Sequence, residues 1–447
     1  MRRLLIANRG EIAVRIARSA RELGIETIAI VSEADRGAYV TRVADRSIVI
    51  GPAAAKDSYL NPDAVLAAAR EAGADAIHPG YGFLSENAGF ARAVIAAGLI
   101  WVGPDPDTIE LMGDKSNAIR AAEAAGVPVL PGTGGPLTPQ DDVFAVARGI
   151  GYPLLVKASA GGGGRGIRHI GTEDELLSTI ELASSEAASV FGDASVYLER
   201  FVPRARHVEV QLLADGATFL HLGDRDCSLQ RRSQKIVEEA PAPEIPQRVR
   251  ERMRAAAVRL ASACGYRGAG TVEFLYDAER EEAAFIEMNT RLQVEHTITE
   301  EITGVDLVRE QLRIADGEPL SLRQEDIRFS GHAIECRINA EDPSQNFFPS
   351  PGRISVLEWP DGVRVDSGFQ AGDVVVPYYD SMIAKIVVHA ATRPEAIAAM
   401  RTALAAVRVE GIATTIPLHL RLLKDPDFRD TAHHTKTIES GKMLEGL

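Results

Sequence analysis

The 447-residue chain is too long for one typical hydrophobic core, and its length predicts two to four domains. Charged residues make up 25% of the chain and apolar residues 45%, the proportions of an ordinary soluble globular protein. The formal net charge of −14 disfavours a general nucleic-acid or membrane surface, so an anionic ligand has to be captured by local basic groups.

The cysteines and the apolar runs of the chain favour a cytoplasmic setting. Cys227, Cys264 and Cys336 are widely scattered and fit no metal-binding spacing, which is simplest in a reducing compartment. Residues 4–7 are too short for the core of a signal peptide, and no later segment approaches a membrane span. We therefore expect a cytoplasmic protein without membrane association.

Residues 1 to about 103 alternate short apolar runs with helical patterns. Strands are predicted at residues 4–7, 27–31, 47–50, 75–78 and 100–102, and a helix at residues 11–23. This alternation predicts a parallel sheet with helices packed on it. Gly10 stands at the first strand-to-helix turn, but its neighbours lack the three-glycine dinucleotide fingerprint, so an NAD domain is not predicted.

A glycine-rich turn follows the strand that carries Lys157. Residues 161–164 are all glycine, and a second strand is predicted at about residues 167–170. Glycines let backbone N–H groups approach an anion closely, which suits a hairpin lid over phosphates. No Gly-Lys-Ser/Thr follows, so this is not a Walker A loop. A flexible linker is the alternative, which the flanking strands with Lys157 and Arg165 disfavour.

Polar side chains are concentrated in the segments beyond the lid. Residues 199–202 are expected to join the lid to the core, with backbone groups free to bond a purine edge. The alternation in residues 207–212 places His207, Glu209 and Gln211 on one face. Residues 225–235 contain four cations, which near carboxylates can hold and polarise small oxyanions. A solvated basic loop remains the competing interpretation.

Two later strands predict a hairpin that sets two carboxylates face to face. A turn centred near residue 280 places Glu273 opposite Glu287. Like charges in this position repel each other unless a cation lies between them. Oxygen donors from Glu273, Glu287 and Asn289 suit Mg²⁺ or Mn²⁺. A solvated hairpin with ordinary surface acids is the alternative, because a one-residue register error breaks the pairing.

Strand alternation also predicts which side chains of the second strand face this site. Phe285, Glu287 and Asn289 are expected on one face, with Ile286 and Met288 in the core behind them. Without any resemblance, these segments indicate a Mg²⁺-dependent, nucleotide-using ligase whose glycine-rich lid is not of the P-loop type.

Long motifs occur along most of the chain. They are residues 8–13 (NRGEIA), 78–87 (HPGYGFLSEN), 112–115 (MGDK), the lid glycines, Arg231-Arg232, 287–296 (EMNTRLQVEH) and 331–343 (GHAIECRINAEDP). From residue 2 to about residue 420, the chain resembles the biotin carboxylase family of ATP-grasp enzymes. The resemblance implies an α/β (α+β) chain with the ATP-grasp fold. Its domains would be a doubly wound parallel-sheet domain at 1–114, an ATP-grasp domain at 115–330 with a glycine-rich lid at about 132–203, and a mixed C-terminal domain at 331–447.

The activity that the resemblance implies is ATP-dependent carboxylation of biotin with bicarbonate, through carboxyphosphate. It would be the first half-reaction of an acyl-CoA carboxylase. Acetyl-CoA is the first choice of acceptor, and fatty acid biosynthesis is then the pathway. Biotin carboxylase subunits of pyruvate, propionyl-CoA or urea carboxylases remain alternatives, as does an ATP-grasp ligase with a non-biotin acceptor. A catalytically silent nucleotide-binding subunit is a further alternative, but the missing metal ligand or base that it predicts is not found.

The site residues implied by the resemblance fall into four groups. ATP would contact Lys115, Lys157, Gly163, Gly164, Glu199, Arg200, Phe201, Val202, His207, Gln230, Ser233, Glu273 and Glu287, and two Mg²⁺ or Mn²⁺ ions would bind Glu273, Glu287 and Asn289. Bicarbonate and biotin would contact Lys235, Arg291, Gln293, Val294 and Arg337. The catalytic groups would be Arg291, Glu295, Lys235 and Arg337, with Glu295 as the base on bicarbonate and Arg337 stabilising the biotin enolate.

The implied partners are a separate biotin carboxyl carrier protein and a carboxyltransferase. No Met-Lys-Met biotinylation motif is present, so biotin is expected on the carrier and not on this chain. A homodimer is also implied, with residues 331–447 as its natural surface, and neither nucleic acid nor membrane is expected as a partner.

Three positions depart from the family pattern. Thr297 replaces a proline, Ser233 a common histidine and Ala160 a lid glycine. A proline restricts the residue before it, so we expect His296 and the loop of Glu295 to be less fixed here. Ser233 is expected to alter a nucleotide contact and Ala160 to stiffen the lid. Since no catalytic group is removed, we expect the rate to differ rather than the reaction.

Overall fold

The computed structural model describes residues 1–159, 166–439, 443, 444 and 446, apart from the side chain of Phe191. Ala160, Gly163 and Gly164 of the glycine-rich turn lie outside the described residues. Among the helices that are described, none has both the length and the apolar character that crossing a bilayer requires.

Five short parallel strands form the N-terminal sheet: β1 (Arg3–Ile6), β2 (Glu26–Val31), β3 (Arg46–Val49), β4 (Ala76–His78) and β5 (Ile100–Trp101). Helices α1 (Gly10–Glu22), α2 (Val40–Val43), α3 (Pro62–Ala72), α4 (Ala88–Ala96) and α5 (Pro106–Gly113) connect or follow them. The strand order is β3-β2-β1-β4-β5. Leu4 and Ile6 belong to one core and Leu5 to another, so both faces of the sheet are buried. The predicted doubly wound sheet is confirmed.

The region with the predicted lid contains a three-stranded antiparallel sheet in the order β7-β6-β8, formed by β6 (Leu154–Ala158), β7 (Ile167–Ile170) and β8 (Val196–Arg200). Helices α7 (Val143–Ile150) and α8 (Leu176–Phe191) belong to the same stretch of chain, whereas α6 (Lys115–Ala124) precedes it and packs in the core of the large sheet. Leu154, Val156 and Leu198 share a core cluster with residues of α7 and α8. The strands predicted on either side of the glycine-rich turn are confirmed.

The rest of the chain is built on one antiparallel sheet. Its strands and the smaller ones near it are β9 (Arg206–Asp215), β10 (Phe219–Arg231), β11 (Gln234–Ala240), β12 (Arg267–Asp277), β13 (Glu282–Asn289), β14 (His332–Asn339), β15 (Glu341–Asp342), β16 (Phe348–Pro349), β17 (Gly352–Arg353), β18 (Val356–Glu358), β19 (Arg364–Ser367), β20 (Val374–Val375), β21 (Met382–Ala390) and β22 (Arg408–Glu410). Eight of them pair in the order β13-β12-β9-β10-β11-β14-β21-β19. Because β11 pairs with β14, the sheet runs without interruption across the predicted domain boundary at residues 330 and 331.

Helices cover this sheet in two separate cores. They are α9 (Gln247–Ala263), α10 (His296–Thr303), α11 (Leu307–Ala315), α12 (Arg393–Ala406), α13 (Ile416–Leu422) and α14 (Pro426–Arg429). Val208 and Leu212 of β9 lie in one core with Leu260 of α9. Ile334 of β14 lies in the other with Met400 of α12. The sheet is therefore shared by two parts of the protein, with one core packed against β9 and the other against β14.

A buried ion cluster fastens α12 to the sheet. Arg393 Nε and His332 Nε2 lie 2.6 and 2.8 Å from Oε2 of Glu239, whose side chain is buried. Burial raises the pKa of the Glu239 carboxyl, but His332 and Arg393 outweigh it and lower that pKa from its ordinary 4.5 to about 2. Glu239 is therefore a carboxylate that stabilises the fold at neutral pH.

We expect Glu239→Gln to remove a pH-dependent part of the stability. The lowered pKa corresponds to about 3 kcal/mol of folding free energy, which is present above pH 4.5 and is lost as the pH falls from about 4.5 to about 2. Urea unfolding of both proteins should show a stability difference at pH 7 that shrinks across that window. The exposed Glu358→Gln is the matched control, and a difference that does not change with pH would contradict the prediction.

Candidate active site

The β12–β13 hairpin places Glu273 directly opposite Glu287, as the sequence predicts. Both side chains line one cleft, together with Asn289. Burial, followed by the charge of Glu273, raises the pKa of the Glu287 carboxyl. The two carboxylates thus face each other at the cost of mutual repulsion, which a bound cation would relieve.

The predicted faces of β13 are wrong at two residues because the strand contains a bulge. Glu273 pairs with Glu287, but Phe274 pairs with Phe285, so Ile286 is an extra residue in the ladder. Phe285 consequently packs in the core beside Met288, whereas Ile286 lines the cleft with Glu287 and Asn289. The bulge reverses the alternation only on the turn side of Glu287, so Glu287 and Asn289 keep their predicted orientation toward the cleft.

Lys235 is the centre of the charge arrangement. Its Nζ donates to Glu209 Oε2 at 2.6 Å, to Glu273 Oε1 at 2.9 Å and to Glu295 Oε1 at 2.6 Å. Burial lowers the pKa of Lys235, but the three carboxylates raise it well above its ordinary value. The ammonium group therefore stays charged and draws acids from three parts of the chain to one point.

A second cation, Arg225, contacts Glu209. Arg225 is fully buried and donates through Nε to Glu209 Oε1 at 2.6 Å and through Nη1 to Gln211 Oε1 at 2.5 Å. Its other contacts are Thr271 Oγ1 and Thr299 Oγ1. Glu209 and Arg225 were not among the predicted site residues, although the alternation in β9 and the basic run in β10 contain them.

Glu295 sits immediately before α10 with its carboxylate held between two cations. Arg337 Nη2 donates to its Oε2 at 2.9 Å, opposite Lys235 on Oε1. Burial raises the pKa of Glu295, but Lys235 and Arg337 outweigh it and hold the pKa well below the ordinary value. A buried, ionised carboxylate beside two donors is suited to accept a proton from an anion that those donors bind.

Arg291 is oriented by four oxygens. Its Nε donates to Glu86 Oε2 at 2.8 Å, Nη2 to Asn289 Oδ1 at 3.0 Å, and Nη1 to Gln293 Oε1 at 3.0 Å and to the Leu292 carbonyl at 3.2 Å. Glu86 comes from the N-terminal domain and was not predicted as a site residue. Its only sequence signal is its place in the motif of residues 78–87.

The donor set fits a hard divalent cation. Glu273 and Glu287 supply carboxylate oxygens across the hairpin, and Asn289 adds a carboxamide on the same side. The Glu287 carboxylate makes no hydrogen bond or ion pair with any residue that the structure describes, so its oxygens are free for a ligand. His207 also lines the cleft, with its Nε2 2.8 Å from Glu273 Oε2. Oxygen ligands of this kind suit Mg²⁺ or Mn²⁺.

These groups line a cleft of about 800 Å³ between the N-terminal domain, the large sheet and the C-terminal region. The predicted residues in its lining are His207, Gln230, Ser233, Lys235, Glu273, Glu287, Asn289, Arg291, Gln293, Val294 and Arg337. The N-terminal domain adds Glu11 and Tyr81, and the C-terminal region adds Tyr379. Glu295 lies just behind this lining, fully buried.

The other predicted ATP-binding residues that the structure describes lie in the lid region or just before it. Lys157 forms an ion pair with Glu199 across two lid strands, and Lys115 begins α6. Phe201 packs its ring edge against His169. Arg200 and Val202 line a second, smaller cavity of about 220 Å³ beside β12 and β13. None of the residues Lys115, Lys157 and 199–202 lines the main cleft. In this structure, the predicted ATP-binding residues of the lid region are therefore separate from those in the cleft.

The positions that depart from the family pattern have distinct surroundings. Ser233 lines the cleft in a turn with a positive φ of 63°, next to Arg232 with φ 50°. Thr297 is fully buried in the first turn of α10, and its hydroxyl donates to Glu335 Oε2. The threonine therefore ties α10 to β14 with a hydrogen bond that a proline side chain cannot make.

Comparison with known proteins finds family models and relatives that match most of the chain. The family models described as biotin carboxylase N-terminal domain, carbamoyl-phosphate synthase L chain ATP-binding domain and biotin carboxylase C-terminal domain match residues 1–109, 114–323 and 335–440. Biotin carboxylase 1 of Bacillus subtilis (strain 168) is 52% identical over 447 residues, which cover 99% of each chain.

Two further relatives differ in the larger assembly that their names describe. A pyruvate carboxylase subunit of Methanothermobacter thermautotrophicus is 49% identical over 98% of this chain and 89% of its own. The biotin carboxylase domain dimer of Hydrogenobacter thermophilus 2-oxoglutarate carboxylase was solved in complex with MgADP, ADP and bicarbonate. Its structure matches with a TM-score of 0.87 at 46% identity, covering 99% of this chain and 98% of that one.

We expect Glu287→Gln to weaken divalent metal binding without harming the fold. A hydrogen bond or ligand contact to a charged group is worth about 1.5–3 kcal/mol, so Mn²⁺ affinity in the presence of ADP should fall about tenfold or more. Because Glu287 has no protein partner among the described residues and faces Glu273, the free energy of unfolding should stay within about 0.5 kcal/mol or rise. Electron paramagnetic resonance titration and urea unfolding measure the two quantities.

Glu209→Gln is the matched comparison for this variant. It removes a carboxylate that Arg225 and Lys235 both contact, so we expect it to cost about 3–5 kcal/mol of folding free energy. Unchanged Mn²⁺ affinity in Glu287→Gln would contradict the metal assignment.

Proposed function

The chain belongs to the biotin carboxylase family, and from that premise we propose that its cleft carboxylates biotin on a carrier protein, using ATP and bicarbonate. It is an ATP-dependent carboxylase of the ligase class. The observation that carries the site assignment is the Glu295 carboxylate, held between Lys235 and Arg337 and separated by Lys235 from the Glu273 and Glu287 pair.

In our proposal, the first step is phosphoryl transfer from ATP to bicarbonate. Lys115, Lys157 and the lid glycines Gly163 and Gly164 bind the phosphates, while residues 199–202, His207, Gln230 and Ser233 hold the nucleoside. Glu273, Glu287 and Asn289 would hold Mg²⁺ or Mn²⁺, which when bound neutralises charge on the phosphates. Phosphoryl transfer depends mostly on positioning and charge neutralisation, which this set of residues supplies.

Bicarbonate is positioned by the cations next to Glu295. We assign its oxygens to Lys235, Arg291 and the backbone of Val294, with Gln293 alongside. Glu295 accepts the bicarbonate proton as the freed oxygen attacks the γ-phosphorus; the bond from that phosphorus to the ADP oxygen breaks, and carboxyphosphate and ADP result. The low pKa of Glu295 keeps it ionised before each turnover.

The second step transfers carbon dioxide to biotin. Carboxyphosphate breaks its C–O bond to give carbon dioxide and phosphate, and the phosphate accepts the proton of the ureido nitrogen. Arg337 stabilises the negative charge that develops on the ureido oxygen, and the nitrogen then bonds to carbon dioxide. Arg337 suits this role because it lines the cleft while its Nη2 already contacts Glu295.

We propose an acyl-CoA carboxylase, with acetyl-CoA as the acceptor, as the assembly in which this subunit works. A carrier protein and a carboxyltransferase would be its partners, and the cytoplasm its location. The names of its relatives include a pyruvate and a 2-oxoglutarate carboxylase, so the acceptor depends on the partner subunits. The solved dimer of a related domain supports a homodimer here.

We expect ADP release from MgATP to require bicarbonate and to be stimulated by free biotin. Glu295→Gln should lower this rate by about 10²–10⁴-fold, since the base is lost while the donors Lys235 and Arg337 remain. A coupled assay for ADP measures the effect, with the exposed Glu358→Gln as a control that should keep the wild-type rate.

Two results would contradict the proposed function. Bicarbonate-dependent turnover that ignores both free biotin and a biotinylated carrier would indicate another carboxylated substrate. Tight MgATP binding without any turnover would indicate a regulatory subunit.

A further inference from the structure

A pair of buried acids lies behind Arg337 and has no role in the steps above. Glu238 of β11 and Glu335 of β14 are direct partners in the antiparallel ladder, and both side chains are fully buried. We propose that Glu238 and Glu335 share one proton and thereby close a hydrogen-bonded ring that positions Arg337 against Glu295. The structural part of this proposal is independent of the proposed function, and only its catalytic consequence rests on that function.

The argument begins with the four carboxylate oxygens of the pair. Glu238 Oε1 accepts a hydrogen bond from Arg337 Nε at 2.6 Å, and Glu335 Oε2 accepts one from the Thr297 hydroxyl. The other two oxygens, Glu238 Oε2 and Glu335 Oε1, are buried and have no donor among the described residues. Directly opposite residues in a ladder have Cβ atoms about 4.5–5.5 Å apart, so both bare acceptors belong to neighbouring side chains. One proton between them supplies the donor that both lack.

The remaining contacts complete a ring. Arg337 Nη2 donates to Glu295 Oε2 at 2.9 Å, and Thr297 follows Glu295 by two residues at the start of α10. Starting from Glu295, the path therefore runs along the backbone to Thr297, then to Glu335, Glu238 and Arg337, and returns to Glu295. Without the shared proton, the path is open between Glu238 and Glu335, where two like charges repel each other.

Charge balance favours the protonated pair. Glu238 faces Arg337, Glu335, Glu295, Lys235 and the thiols of Cys227 and Cys336; Glu335 faces Lys385, Arg337, Thr297, Glu295, Glu11 and the Cys336 thiol. Arg337 already pairs with Glu295. A full negative charge on Glu238 would therefore place two carboxylates against the single positive charge of Arg337. Burial, partly offset by Arg337 and reinforced by Glu335, raises the pKa of Glu238 to about 8. The proton is therefore held below about pH 8 and is lost above it.

The consequence for catalysis concerns the positive charge of Arg337. With one proton shared, the pair carries a single negative charge, and Arg337 keeps attraction for an oxyanion in the cleft. When the proton is lost, the repelled carboxylates separate and Arg337 moves with Glu238. We therefore assign Glu238, Glu335 and Thr297 as positioning residues.

Infrared difference spectroscopy tests the shared proton directly. Spectra taken below and above about pH 8 should show the carbonyl band of a protonated carboxyl group that is lost at high pH. Burial also raises the pKa of the Glu11 carboxyl to about 7, so the spectra are compared with those of Glu11→Gln, which removes the Glu11 band. In that background, the remaining band should be absent from both Glu238→Gln and Glu335→Gln. If either variant keeps it, or if Glu11→Gln alone has none, the pair does not share a proton and the proposal is overturned.

Kinetics tests the positioning role. Glu238→Ala should lower kcat/KM for biotin by about tenfold or more, as for other groups that orient a site residue. Glu238→Gln should recover most of this loss, because its amide donates to Glu335 while its oxygen still accepts from Arg337. Its rate should also no longer fall above about pH 8. If Glu238→Gln is as impaired as Glu238→Ala, or keeps the alkaline fall, the positioning role is wrong.

Thr297→Val isolates the other side of the ring. It should also lower kcat/KM for biotin, whereas Thr303→Val at the end of the same helix should not, because among the described residues the Thr303 hydroxyl bonds only backbone groups, the Thr299 carbonyl and the Val305 N–H. Equal rates for the two variants would remove Thr297 from the ring. A wild-type enzyme that shows the infrared band but no biotin-stimulated turnover would contradict the proposed function and leave the proton pair standing.

Discussion

The structure depends on the contact of one ammonium group with three carboxylates. Lys235 on β11 joins Glu209 of β9, Glu273 of β12 and Glu295 before α10, at distances of 2.6–2.9 Å. Buried carboxylates that lack a partner would instead neutralise by taking up protons. The same contact therefore keeps Glu295 ionised, holds the Glu273 carboxylate in place and fixes the start of α10 to the sheet.

Other parts of the chain close around this point through buried polar contacts. Arg15 of α1 reaches Glu300 of α10 at 2.9 Å, and Glu86 reaches Arg291 at 2.8 Å, so the N-terminal domain is bonded to both sides of the Glu295 loop. From the C-terminal region, the fully buried Lys385 donates to the Val294 carbonyl at 2.6 Å. The short loop between β13 and α10 is thus held by residues that are far away in sequence.

That distance in sequence explains what could be predicted and what could not. Period-two alternation and the position of a polar turn are local, so the pairing of Glu273 with Glu287 followed from the sequence. The bulge at Ile286 is set by packing against the core, and alternation alone therefore assigned Phe285 to the wrong face. The motifs predicted the family and its chemistry. Glu86, Arg225 and the partner of Thr297 depend on side chains that meet only in the folded chain, and the predicted domain limits and ligand contacts stay predictions.

The continuous eight-stranded sheet has a consequence for how the protein can move. Glu273 and Glu287 lie at one end of it, Lys235 in the middle and Arg337 beyond, and every neighbouring strand is joined by backbone hydrogen bonds. A hinge between strands β12 and β13, which carry Glu273 and Glu287, and strand β14, which carries Arg337, would have to break these backbone hydrogen bonds. The sheet at the base of the cleft therefore moves as one rigid unit. Any motion that admits or releases a ligand has to come from the segments around the edge of the cleft.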